Sequence, residues 1–116
     1  MVDSELKQIL SDNGFNYHQD DHYNVLVIEN IEIAEIYHHI KYVAVQLSSF
    51  NRELFLIYIN FEDKYDQEYI SNLCINLSMY TLEHKDDIYY LRGIFDKDAF
   101  IKELHRLNSI GLNIKG

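Results

Sequence analysis

No proline occurs in this chain of 116 residues, and glycine stands at only four positions, 14, 93, 111 and 116. A chain so poor in built-in breaks has to turn on clusters of Asn, Asp and Ser, and those clusters divide it into elements. The four glycines form no flexible linker, and neither a repeat period nor a low-complexity stretch is present. At this length one domain with one core is the expectation for residues 1–116.

Leu6, Ile9 and Leu10 recur at helical spacing after Asp3 and Ser4, and Asn13-Gly14 supplies a left-handed stop, which predicts a helix over residues 3–13. Residues 15–18 and 23–29 read as strands around a polar hairpin loop, Gln19-Asp20-Asp21-His22. Val25-Leu26-Val27-Ile28 is apolar on both faces of its strand, so both faces should be covered. Residues 31–40 are ambiguous: Ile31 and Ile33 alternate as in a strand, whereas Ile33, Ile36, Tyr37 and Ile40 follow i, i+3, i+4, i+7. The helical match is the fuller one, and a short helix is expected.

Residues 42–47 and 54–61, rich in β-branched and aromatic side chains, predict a hairpin closed by Ser48-Ser49-Phe50-Asn51-Arg52-Glu53. Ile70, Leu73, Cys74 and Leu77 mark one face of a helix over 66–79, with Asp66 and Glu68 near its positive end. A second hairpin joins 80–84 to 88–95 through Lys85-Asp86-Asp87. Asp96 then caps a last helix bearing Phe100, Ile101, Leu104 and Leu107 on its apolar side, with Asp98 early, Lys102 and Arg106 late, and residues 108–111 ending it. The fold class this order predicts is α+β: an antiparallel sheet with helices packed on it, in the order helix, strands, helix, hairpin, helix, hairpin, helix.

That order, with Asn13-Gly14-Phe15 closing the first helix, a helix over 66–79, the strand ending Tyr89-Tyr90-Leu91-Arg92 and an acid-capped last helix, resembles the YbjN-like and type III secretion chaperone-like superfamily. The short helix within 31–40 would be an insertion into that pattern. The resemblance implies a small, acidic, cytoplasmic, non-enzymatic protein, often a homodimer, whose chaperone members bind extended segments of secreted proteins along apolar grooves.

Charge points the same way. Formal net charge is −9, and residues 1–40 hold eight carboxylates against Lys7 alone. Such a surface repels nucleic-acid phosphates and favours a basic protein partner. Hydrophobic residues make up 47% and charged ones 25%, which fits a folded soluble protein, and no apolar run approaches the roughly 20 residues of a membrane span. One cysteine excludes an internal disulfide and a multi-cysteine zinc site, and with no secretory signal it suggests a reducing, cytoplasmic setting.

The sequence offers few groupings fit for chemistry. His18 and His22 beside Asp20 and Asp21 have ligand-like spacing but fall on a hairpin tip, where solvated side chains are the simpler reading, so no metal is expected. Glu35 with His38 or His39 reads as a surface ion pair. Cys74, between Leu73 and Ile75, reads as a small core residue rather than a nucleophile served by His84 or His105. The paired carboxylates Glu62-Asp63 and Asp86-Asp87 sit at turns, where a desolvated general acid is uncommon. No phosphate-binding glycine loop, nucleophile elbow or zinc-protease helix is present. No catalytic group and no cofactor are therefore expected.

The ten tyrosines say more, because phenols give large contact area with a polar tip. Tyr37, Tyr58, Tyr80 and Tyr90 read as filling or edging the core; Tyr17, Tyr23, Tyr65 and Tyr69 flank polar runs and suit an exposed surface. The expected function is a non-catalytic, chaperone-like module that sequesters a partner protein. An alternative is an immunity or anti-defence inhibitor presenting carboxylates to a basic nuclease or another nucleic-acid enzyme. The surface expected to carry either is Asp20, Asp21, Tyr23, Glu29, Glu32, Glu35 and Tyr37. A contiguous acidic patch would favour the inhibitor, and an apolar groove rimmed by tyrosine would favour segment capture.

Overall fold

Residues 4–37, 39–62, 77–85 and 88–109 are described in a computed structural model of the chain. Cys74, His38, Tyr65, Tyr69, Asp63 and Asp86-Asp87 lie outside them, as does most of the helix expected over 66–79. Where that helix was expected to end, residues 77–79 instead make a turn, closed by the Tyr80 amide donating to the Leu77 carbonyl at 3.0 Å.

The first helix, α1 (Ser4–Asp12), buries Leu6, Ile9 and Leu10. Gly14, at φ 80°, ends it: the Phe15 amide reaches back to the Leu10 carbonyl at 2.9 Å and the Gly14 amide to Ser11 at 3.2 Å. These two bonds satisfy carbonyls that the helix itself cannot, and Phe15 is folded down into the core as a result. Strands β1 (Asn16–Asp20) and β2 (Val25–Glu29) follow, then α2 (Glu32–Ile36), β3 (Ile40–Leu47) and β4 (Leu54–Phe61). After the undescribed stretch come β5 (Tyr80–Lys85), β6 (Ile88–Asp96) and α3 (Lys97–Leu107), whose first turn is capped by the Asp96 carboxylate accepting from the Ala99 amide at 2.8 Å.

The strands form a six-stranded sheet in the order β1-β2-β3-β4-β6-β5, antiparallel at every pairing. The α+β class is thus the one observed, and the strands and the three described helices follow in the order expected from sequence. The first hairpin differs in detail. Gln19 and Asp20 belong to β1, and the turn is made by residues 21–24, with Asn24 at φ 55° in the left-handed region that Asn tolerates better than most residues. Tyr23 accordingly sits in the turn and not in β2.

One face of the sheet carries the main core. Leu26, Val45 and Ile57 align across three strands, as do Ile28, Val43, Ile59 and Leu91 across four, and α1, α2 and α3 add Leu6, Leu10, Ile33, Phe100, Leu104 and Leu107 to the same cluster. Phe55 and Phe100 stack with centroids 4.8 Å apart, joining β4 to α3. In β3 the register shifts between Ile40 and Tyr42, leaving Lys41 as the extra residue. This bulge lets Ile40 and Val43, three positions apart, both reach the core while Tyr42 points to the other face.

Candidate functional site

The opposite face is built by the alternate residues of the same strands. His18, Val27, Ala44, Tyr58, Arg92 and Thr81 form one row across it; Tyr42, Asn60, Tyr90 and Glu83 form the next. No described helix packs there: those helices contact the core side. Val25, Val27 and Ala44 nevertheless form a second small buried cluster, with Tyr42 and Tyr58 lying against it. Both faces of β2 are therefore covered, as its apolar run requires.

Above this floor lies a hollow of about 260 Å³, walled by Tyr23, Tyr42, Tyr58 and Tyr90, with Gln46 and Asn60 among its polar members and Lys85 and Ile88 at one end. The phenols are held by partners outside the apolar floor. Tyr58 donates to Gln46 Oε1 at 3.0 Å, and Gln46 Nε2 donates to the Asn24 carbonyl at 3.0 Å, which pins the β1–β2 turn to β3 and β4. Tyr90 donates to Glu83 Oε2 at 2.9 Å, and Glu83 pairs with Arg92 at 2.8 Å. The Tyr58 and Tyr90 rings meet edge to face, centroids 5.7 Å apart at 67°.

Burial raises the Tyr42 phenol above its ordinary value, with the Asp20 carboxylate adding to the effect. Tyr58 is raised by burial, partly offset by Arg92. Tyr90 is pushed up to about 12 by burial and by its bond to Glu83. These phenols stay neutral over the physiological range, so the walls are uncharged aromatic surface.

The residues expected to form one acidic face are divided. Asp20, Asp21 and Tyr23 share the β1–β2 turn, where Asp20 Oδ1 accepts from the His22 amide at 3.0 Å and Asp21 Oδ1 from Gln19 Nε2 at 2.6 Å. Tyr23, 42% exposed, is the member of that set that lines the hollow. Glu29 stands at the other end of β2, about 13 Å from Val25 along the strand, and bonds His18 Nδ1 at 3.0 Å. Glu29 and Glu35 border a second, separate hollow with His18 and Lys41. Glu32 lies on α2, its amide donating to Asn108 Oδ1 at the end of α3, and Tyr37 packs against the main core.

Tyr17, expected at an exposed surface, also faces the main core, because its register opposite Ile28 turns it to the helix side. Tyr80 is a core residue, as expected. Tyr58 edges the minor cluster, as a core-edging residue would, and Tyr90 lines the hollow against the Tyr58 ring. His22 packs edge-on to Tyr23 with centroids 4.5 Å apart, and among the described residues no three His, Cys, Asp or Glu side chains converge as a metal site would require. Tyr42, Tyr58 and Tyr90 are the site residues that sequence reasoning missed. Their signal was the alternation in Leu56-Tyr58-Asn60 and Tyr90-Arg92-Ile94 opposite the bulky core positions, which becomes a site only when β4 and β6 are set side by side.

Among the described residues the antiparallel sheet carries helices on one face and tyrosines on the other, an α+β arrangement. No family model matches the chain, and no curated protein matches it in sequence. Among solved structures it is similar to YbjN from E. coli, a candidate transcription regulator, with a TM-score of 0.55 and 14% identity over 90% of this chain and 84% of that one. At that identity the likeness is one of fold: it supports the YbjN-like part of the sequence resemblance and does not extend to secretion chaperones. No helix among the described residues is long and apolar enough to cross a membrane.

Proposed function

We propose that this chain is a non-catalytic protein-binding module that sequesters a segment of a partner protein against the open face of its sheet. The observation that carries the reading is the tyrosine-walled hollow over Val25 and Ala44, on a face to which no described helix is packed. Beside it Ile94 lies 52% exposed on the same face, in the row of Leu56 and Gln46, so the apolar surface extends past the hollow. Rigid aromatic side chains whose hydroxyls are already bonded lose little entropy on binding, and they are the side chains on which interfaces concentrate their energy. Net charge −9 favours a basic partner by steering its approach. The division of the acidic residues between two ends of the β1–β2 hairpin fits an apolar docking surface with charged flanks better than it fits an inhibitor built on one continuous acidic patch.

Affinity capture with the full chain, followed by mass spectrometry, tests this when run beside Ile94→Asp, which charges the open face without touching the core. Partners that are retained by the native chain and by the helix-side variant Lys102→Ala but lost by Ile94→Asp support the reading. Capture that is indifferent to Ile94→Asp and to Tyr90→Ala removes the open face as the docking surface.

A further inference from the structure

The hollow has walls and charges that select among side chains. Tyr58 and Tyr90 meet as a corner, one ring edge-on to the other, with Tyr23 and Tyr42 also in the wall. The hydroxyls of Tyr58 and Tyr90 are committed to Gln46 and Glu83. What remains for a guest is aromatic ring surface over an aliphatic floor, and the negative faces of such rings attract cations, an alkylammonium head included, while the floor takes the attached methylenes.

The fixed charges around the hollow agree. Asp20 is the carboxylate that acts on Tyr42, at the turn end. Arg92 is neutralised by Glu83 at 2.8 Å. Lys85, the cation in the lining, lies at the far end: its row is three rows of the sheet from that of Asp20, about 20 Å along the strands. The aromatic walls therefore lie between a negative end and a positive end. A volume of about 260 Å³ accommodates a four-carbon stem and its head group.

We infer that this hollow receives an alkylammonium group, the side chain of a lysine on the bound partner, with its methylenes on Val25 and Ala44 and its charge among the tyrosine rings toward Asp20. The inference rests on the open face being the docking surface, and it names the side chain that anchors there. It also gives the acidic turn a role in specificity beyond steering, since Asp20 and the rings together favour a cation over an apolar side chain of the same size.

Choline and its uncharged isostere 3,3-dimethyl-1-butanol are the probes, titrated into the full chain while the methyl resonances of Val25 and Ala44 are followed by NMR. Choline is expected to move both methyls saturably and to bind at least about tenfold more tightly than the alcohol. Tyr58→Leu, which keeps an apolar wall and removes the ring, is expected to erase that preference. Asp20→Asn retains the oxygen that accepts from the His22 amide, so the turn should stay folded while choline affinity falls several-fold. Equal binding of choline and the alcohol, or an unchanged preference in both variants, overturns the inference. Those results concern cation selectivity alone; the docking face is judged separately by the response of partner capture to Ile94→Asp.

Discussion

Tyr80 donates its phenolic proton to Glu103 at 2.6 Å, and Arg106 grips the same carboxylate through two further bonds of 2.7 and 2.6 Å. Glu103 is 6% exposed, so its charge is tolerable only because both partners are in place. Tyr80→Phe removes one of them without opening a cavity, and should cost about 1–3 kcal/mol, the penalty for a buried acceptor deprived of its donor. Urea unfolding would show this as a lower midpoint at unchanged slope. The same bond, with burial the larger cause, holds the Tyr80 phenol far above its ordinary value, while Tyr90 is pushed up to about 12 and Tyr42 and Tyr58 are raised by burial. Each folded value exceeds the unfolded value of 10.0, so the fold favours the protonated form. Stability from these groups is complete below pH 10 and falls as pH rises above it, because the unfolded chain loses those protons first. Absorbance at 295 nm should therefore show a fraction of the ten tyrosines resisting ionisation until the protein unfolds; all ten titrating near pH 10 with the fold intact would contradict the packing described.

At the scale of elements, β5 is tied to β6 by a ring laid across a glycine. Tyr80 is paired with Gly93, and a Cβ built on Gly93 would stand 2.5 Å from Phe95 Cε2 and 2.9 Å from Tyr80 Cε2. Gly93→Ala should cost about 1–3 kcal/mol by overpacking, although alanine suits a strand better than glycine elsewhere. A thermal midpoint equal to that of the native chain would mean that the rings can move aside. The sequence announced most of these elements because their signals are local. In β4, Phe55, Ile57, Ile59 and Phe61 alternate with Leu56, Tyr58 and Asn60, and the burial follows that alternation through the strand. Asp96 and Asn13-Gly14 mark helix ends by chemistry that needs no tertiary context. The bulge at Lys41 and the extension of β1 through Asp20 were not legible, since each is settled by the strand alongside: Asp20 has Val25 to pair with, and Ile40 has Phe61.

At the scale of the molecule, the acidic turn was visible in the sequence and the aromatic wall beside it was not. Asp20, Asp21 and Tyr23 are close in sequence, whereas Tyr42, Tyr58 and Tyr90 are brought together only by the order β3-β4-β6. The consequence is that location, and not total charge alone, should govern encounter with a basic partner. Asp20 and Asp21 lie at the turn whose Tyr23 lines the hollow; Glu5 on α1 and Asp98 on α3 belong to the helix layer. At physiological ionic strength a charge acts over about 8 Å, so carboxylates in the helix layer are screened from a ligand on the open face. Two double variants separate these contributions at equal net charge: Asp20→Asn with Asp21→Asn, and Glu5→Gln with Asp98→Asn. With a fluorescent oligolysine as the probe, stopped-flow association should slow and lose part of its salt dependence in the first pair while the second stays near the native rate. Equal slowing in both would assign the attraction to net charge. No change in either would leave the hollow to recognise its partner by contact alone, without steering from the turn.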